Sequence, residues 1–126
     1  MKLRLTHNSI RIRVQRSELA QLQAEGCIKE AVTFPTSAAF QYEIAVHDGK
    51  EIEAFYDKSM ISIKLPSAVA QPWFDTSQVG IETNLSLAGS GQLHVLIEKD
   101  FPCADRPNED KSETFWELVD KPDAAC

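Results

Sequence analysis

The chain has 126 residues, 43% of them hydrophobic and 25% charged, with a formal net charge of −6. That length allows one domain with a core able to fold alone, and the acidity argues against indiscriminate binding to nucleic acid or anionic membranes. No apolar run approaches a membrane span, no apolar signal segment follows Met1, and Cys27, Cys103 and Cys126 make a poor disulfide framework, so the expected compartment is the cytoplasm.

The charge is unevenly spread. Residues 1–16 carry five cations and no acid, whereas residues 100–126 sum to −5. Leu3 and Leu5 alternate with Lys2 and Arg4; Ile10, Ile12 and Val14 alternate with Arg11 and Arg13. The apolar positions switch from odd to even across residues 6–9, which in one straight strand would put half of them in water. A two-residue turn at His7-Asn8 restores the pattern by pairing Leu5 with Ile10 and Leu3 with Ile12. The same register opposes Arg4 to Arg11 and Lys2 to Arg13, and like charges directly opposed are destabilising. An anionic group over that face is therefore expected.

Ser17 is the expected N-cap of a short helix, with Glu18 at its positive end, Leu19 and Leu22 on its buried stripe, and Gly26 closing it. Residues 28–34 resume a strand that Pro35 ends, and Phe40, Tyr42, Ile44 and Val46 form the next one. Asp48-Gly49-Lys50 predicts a hairpin turn pairing Val46 with Ile52, Ile44 with Ala54 and Tyr42 with Tyr56. A turn at Lys58-Ser59 pairs Tyr56 with Ile61, Ala54 with Ile63 and Ile52 with Leu65, and sets Glu53 opposite Lys64. A helical piece over 68–71 is expected to end at Pro72, with Trp73 and Phe74 anchoring the return to the core. Around Gly89-Ser90-Gly91 a last hairpin pairs Leu87 with Leu93, Leu85 with Val95 and Thr83 with Ile97.

Beyond Asp100, Pro102, Pro107 and dense acids predict an irregular tail, in which Ser112 caps a turn carrying Phe115, Trp116 and Val119. The alternating stretches amount to about seven short strands with two short helices. The expected class is α+β, mainly antiparallel, with a sheet that curls towards a barrel. The expected division is a domain over 1–101 and an acidic tail over 102–126, partly docked.

The opening MKLRLTHNSIRIRVQRSELAQL and the closing LHVLIEKDFPCADRPNED carry a resemblance. They are similar to the two ends of a family of small, uncharacterised bacterial proteins. That family shares the Lys-x-Arg-Leu…Asn-Ser-Ile-Arg-x-Arg hairpin and a Lys-Asp-Phe-x-Cys segment, here Lys99, Asp100, Phe101 and Cys103. The resemblance implies no activity, ligand or catalytic residue, and the tail after Glu113 departs from the family pattern. A second, shorter likeness covers Ile61-Ser62-Ile63-Lys64-Leu65-Pro66, a short helix and Val79-Gly80-Ile81. It resembles the strand–Pro–helix–strand unit of swapped-hairpin bacterial DNA-binding dimers and implies a nucleic-acid-binding homodimer. Such units usually present many basic residues, whereas only Lys58 and Lys64 lie near this one.

The cationic face of Lys2, Arg4, Arg11 and Arg13, with Arg16 nearby, is the candidate ligand-binding surface. It has three readings: a solvated face, a face neutralised by Glu43, Glu51, Glu53 or the acidic tail, or a site for a phosphate-bearing ligand. Neutralisation ranks first, because surface charge runs contribute little energetically. Asp105, Glu109, Asp110, Phe115 and Trp116 are the candidate tail contacts.

An enzymatic reading would use Cys103 as a thiolate with His7, His47 or His94 as base, or Glu51 and Glu53 as paired carboxylates. The carboxylates adjacent in sequence, Asp100 and Asp105, would disfavour a thiolate at Cys103, so a small apolar role for it ranks higher. Histidine and cysteine spacings match no local zinc site, Gly89-Ser90-Gly91 lacks the Lys-Ser/Thr of a phosphate loop, and no cofactor motif is found. The expectation leans away from an enzyme. It is a cytoplasmic binding module whose basic hairpin face meets an acidic protein or a phosphate-bearing ligand, with no membrane partner, nucleic acid ranked lower and a homodimer left open.

Overall fold

In the computed structural model, which describes residues 1–100, the chain forms eight strands and two helices. They follow one another as β1 (Lys2–Thr6), β2 (Ser9–Val14), α1 (Arg16–Glu25), β3 (Cys27–Thr33), β4 (Ala39–His47), β5 (Glu53–Asp57), β6 (Met60–Pro66), α2 (Ser67–Asp75), β7 (Gly80–Ser86) and β8 (Gln92–Lys99). The expectations for Cys103, Asp105, Glu109, Asp110, Ser112, Phe115 and Trp116 lie outside the described residues.

The strands form two four-stranded sheets, ordered β1-β2-β8-β7 and β3-β4-β6-β5. Each half of the chain is a hairpin, a helix and a second hairpin, and each sheet takes one hairpin from each half. Every residue of the first hairpin has a counterpart 51 positions on, as Lys2 and Glu53, Ile12 and Ile63, or Arg13 and Lys64. In the second hairpins the spacing is 53, as Ile28 and Ile81 or Ile44 and Ile97. The two parallel joins obey the same relation: Ile12 meets Ile97, and Ile63 meets Ile44. The halves are thus related by an approximate two-fold. They exchange hairpins, each contributing one to each sheet.

Several expectations change. Eight strands replace about seven, and each sheet ends in two edge strands, so neither closes into a barrel. The two central pairs, β2–β8 and β4–β6, are parallel. Asp48-Gly49-Lys50 is not a hairpin turn: β4 pairs with β6, not with β5. Residues 48–52 cross over instead, with the Gly49 N–H donating to His47 Nδ1 at 3.3 Å and His47 Nε2 lying 3.2 Å from the Glu51 carbonyl. Both pairings keep Tyr42, Ile44 and Val46 on the inner face, so alternation cannot choose between them.

The last hairpin pairs Leu85 with Leu93, Thr83 with Val95 and Ile81 with Ile97, two positions from the expected register and again on the same face. Helix α1 starts two residues earlier than expected: Gln15, not Ser17, is its N-cap, in a capping box with Glu18. Helix α2 runs through Pro72 to Asp75. Ala68 and Pro72 both lie on its exposed side, where water reaches the carbonyl that the proline leaves without a donor. Thr76 then closes the helix, its N–H and Oγ1 both donating to the Pro72 carbonyl.

The turns at His7-Asn8 and Lys58-Ser59 form as expected, with His7 at φ 51° and Lys58 at φ 49°, as a tight hairpin requires. Inner-face residues of both sheets and both helices feed one core, in which Ile12, Leu22, Ile44, Ile63, Leu65, Trp73 and Ile97 are inaccessible to solvent. Leu22 and Trp73 are counterparts under the two-fold, and Trp73 Nε1 donates to the Val79 carbonyl at 3.0 Å.

A polar cluster ties the start of β1 to the other sheet. The Met1 amino group pairs with Glu18 and Glu30, and the Tyr42 hydroxyl donates to Glu30 at 2.9 Å and to the Met1 carbonyl at 3.1 Å. Burial, reinforced by the Glu30 carboxylate, pushes the Tyr42 pKa up to about 12. Burial opposes the charge of Glu30, but hydrogen bonds with the amino group, Glu18 and Tyr42 outweigh it and hold its pKa below the ordinary value.

Two predictions follow from this packing. Gly80 faces Glu98, and a Cβ there would lie 2.7 Å from the Ile97 carbonyl oxygen and 3.0 Å from the Glu98 Cβ. Gly80→Ala is expected to destabilise the chain by about 1–3 kcal/mol, as overpacking does, read as a lower urea midpoint at unchanged slope. As for pH, Glu30 contributes stability that is present above its unfolded pKa and is lost as pH falls through its folded one. Tyr42 keeps its proton in the folded state while the unfolded phenol ionises near 10, so stability also falls as pH rises from there towards 12. Urea midpoints measured across pH are expected to fall on both flanks, and Tyr42→Phe is expected to flatten the alkaline one.

Candidate binding surface

The outer face of the first sheet is built from the alternate residues of four strands. One row runs Lys2, Arg13, Glu98, Gly80; the next runs Arg4, Arg11, Leu96, Glu82; a third runs Thr6, Ser9, His94, Asn84. The expected opposition of cations is real, and the neighbouring parallel strand resolves most of it. Glu98 Oε1 accepts from Arg11 Nε at 2.7 Å and from Arg13 Nε at 2.9 Å. Asp100 lies 3.1 Å from Lys2 Nζ and 3.5 Å from Arg13 Nη1. Glu98 is only 6% exposed, and Gly80 leaves it the space to lie flat between the two guanidinium groups.

These neutralising carboxylates differ from those the sequence suggests. Glu43 and Glu53 belong to the second sheet, and Glu51 sits in the connection before β5. Glu98 is not legible from an antiparallel partner alone, because it reaches the guanidinium groups across the parallel β2–β8 join; Asp100 follows β8 and opens the acidic stretch 100–126. The signal was a parity match: Glu98 alternates with Ile97, as Arg13 alternates with Ile12. Arg4 makes no ion pair among the described residues, and Lys2 remains well exposed. Arg16 opens α1, exposed and off the hairpin.

Further along the same face, Ser9 Oγ lies 3.0 Å from His94 Nδ1 and Glu82 Oε1 lies 2.5 Å from His94 Nε2. A hydroxyl, imidazole and carboxylate in series are the parts of an activated nucleophile. Here they cross three strands of an open face, with Glu82 64% exposed, and a cross-strand polar ladder accounts for them.

The second sheet carries the equivalent face with different residues. Ala45 stands where Glu98 stands, so Lys64, the counterpart of Arg13, has an alanine beside it and instead lies 5.5 Å over the Phe55 ring. Glu43 accepts from Ser62 Oγ at 2.7 Å and from Cys27 Sγ at 3.5 Å. A shallow hollow of about 390 Å³ lies over Lys29, Glu43, Phe55, Ser62 and Lys64. Burial and the Glu43 carboxylate push the Cys27 thiol pKa up, which keeps it protonated and a poor nucleophile. Among the described residues no group of three or more His, Cys, Asp or Glu stands where it would hold a metal ion. No helix there is long and apolar enough to cross a membrane.

A third feature lies on the two-fold itself. Between the tips of the two exchanged hairpins opens an apolar cleft of about 480 Å³, lined by Leu5, Ile10, Phe40, Tyr56, Ile61 and Leu93. Six of the lining residues form counterpart pairs, Leu5 with Tyr56, Ile10 with Ile61 and Phe40 with Leu93, and Ala54 and Phe55 extend the lining on the β5 side. Leu5 and Tyr56 are the exposed rim, at 57% and 69%. The family comparison covers the hairpins, both sheets and the first part of the tail, matching residues 1–118 to a family of unknown function, DUF7009. The chain belongs to that family. No curated protein and no solved structure matches it. The DUF7009 match thus includes the basic hairpin, the axial cleft and Phe115 and Trp116.

Replacing Glu98 tests the neutralised face. Glu98→Gln is expected to destabilise the chain by about 3 kcal/mol, because two largely buried guanidinium groups lose their shared carboxylate. Retention on heparin is expected to rise at the same time and to fall again with added salt. Unchanged stability and retention would mean that the pairing carries no energetic weight.

Proposed function

We propose that this DUF7009 member is a binding module of the bacterial cytoplasm whose β1–β2 hairpin receives an extended, acidic segment of a protein partner. The observation that carries the reading is the position of Arg4. It stands on β1, an edge strand whose outer side makes no ladder among the described residues, with Lys2 two residues away on the same face. An edge strand is a template for strand addition, in which backbone hydrogen bonds give affinity and side-chain charges choose the partner. The outward residues of the other edges are less basic: Glu53, Phe55 and Asp57 on β5, Glu82, Asn84 and Ser86 on β7, and Cys27, Lys29, Ala31 and Thr33 on β3. Among them β1 offers Lys2 and Arg4 without an acid on the strand.

A phosphate-bearing ligand is less well supported, because Arg11 and Arg13 already share Glu98 and Arg13 also meets Asp100. A nucleic acid needs several unsatisfied cations along one path, and its affinity would fall steeply with salt. The scattered cysteine spacing supports a reducing compartment.

The test uses a fluorescein-labelled peptide of alternating glutamate and threonine, followed by anisotropy on the full chain. Arg4→Glu is expected to weaken binding about tenfold or more, equivalent to about 1.4 kcal/mol, while Lys64→Glu on the other sheet leaves it unchanged. Tighter binding to single-stranded DNA than to the peptide, with a steep salt dependence, would replace this reading with the nucleic-acid one.

A further inference from the structure

The axial cleft is an open, mainly apolar feature of the described surface, and the chain itself supplies an occupant. We propose that Phe115 and Trp116, from the segment that follows Asp100, seat in the cleft between Leu5 and Tyr56. The acids of that segment then pass along the β1 edge.

Four observations carry this. The first is direction. The Asp100 N–H donates to the Val14 carbonyl at 2.8 Å, and its carboxylate meets Lys2 Nζ at 3.1 Å. The chain therefore leaves the second strand pair at the Lys2 end of β1, and β1 leads from there to Leu5 on the cleft rim.

The second is reach. Lys2 to Leu5 is about 10 Å of strand, whereas the 15 residues from Asp100 to Phe115 span up to about 50 Å. The third is complementarity. Asp105, Glu109, Asp110, Glu113 and Glu117 outnumber Arg106 and Lys111 along the segment, and the route passes Lys2 and Arg4. The cleft, at about 480 Å³, falls in the size range of ligand pockets and is lined mainly by apolar groups, as two adjacent aromatic side chains need. The fourth is that the family match runs to residue 118, past Glu113 where the resemblance is expected to break off, so Phe115 and Trp116 fall within the same matched stretch of sequence as the cleft residues.

The consequence is regulatory: the segment would compete for the hairpin edge that the acidic-partner reading uses. The docking is tested apart from that reading.

The experiment places the photo-cross-linker benzoylphenylalanine at position 56 of the full chain in place of Tyr56. After irradiation, a cross-link is expected in the monomer, to the tryptic peptide 112–126 (trypsin does not cut Lys121–Pro122), at a yield independent of protein concentration. Adding Phe115→Ser and Trp116→Ser is expected to cut that yield several-fold. A cross-link found only in a dimer band would give the cleft to a second copy, and a monomer yield unaffected by the double substitution would leave it to neither; either overturns the proposal. A second measurement keeps Tyr56 intact. In the 5-fluorotryptophan-labelled chain, the Trp116 resonance is expected to be shifted and insensitive to exchange of water for heavy water, and to move in Leu5→Ser. A Trp116 resonance at the position of a solvated indole would overturn the docking. Loss of peptide binding in the anisotropy experiment, with these cross-links intact, would instead count against the acidic-partner reading alone.

Discussion

The two parallel joins hold this fold together. Ile12 against Ile97 and Ile44 against Ile63 bring the halves of the chain into register, and all four side chains are closed to solvent. A hairpin alone is marginal in water; two hairpins joined through a buried centre, with helices closing one side, make a stable sheet. Exchange doubles this, since each half supplies one hairpin to each sheet. The cleft on the two-fold, the basic edge and the neutralised guanidinium pair are all consequences of that exchange.

The halves have diverged most on the outer faces, where packing constrains them least. At one pair of counterpart positions Glu98 faces Gly80, and at the other Ala45 faces Cys27. The exchange of size keeps the space between strands filled on both sheets. It also decides the electrostatics. With Glu98 present, Arg11 and Arg13 are held against the sheet; with Ala45 instead, Lys64 lies over Phe55. The first sheet therefore presents its spare positive charge on β1, at the rim, and not across its middle.

Much of the local structure was legible. The hairpins at His7-Asn8 and Lys58-Ser59 were readable to the residue, because a parity switch around a two-residue turn leaves one register that puts the alternating apolar side chains of both strands on one face. Alternation reports which face a residue occupies but not which strand lies beside it. Asp48-Gly49-Lys50 has the chemistry of a hairpin turn, and a β4–β5 hairpin would have buried the same side chains as the parallel β4–β6 pair. The β7–β8 shift of two positions preserved faces for the same reason. The duplication did leave a trace, since Ser9-Ile10-Arg11-Ile12-Arg13-Val14 and Met60-Ile61-Ser62-Ile63-Lys64-Leu65 match in pattern after the same kind of turn. Reading it would have supplied the two-fold, and with it the parallel joins. For the surface, the cationic ladder was legible but Glu98 was not, because its role depends on a strand 85 positions from Arg13.

The account rests on the β1 edge as the contact surface. Amide chemical shifts of the full chain, followed while the glutamate–threonine peptide is added, test it most directly. The account predicts shifts that concentrate on residues 2–6 and their β2 partners, with slowed amide exchange along β1. Shifts spread over Lys29, Lys58 and Lys64 on the second sheet, or none along β1 at saturating peptide, would contradict it.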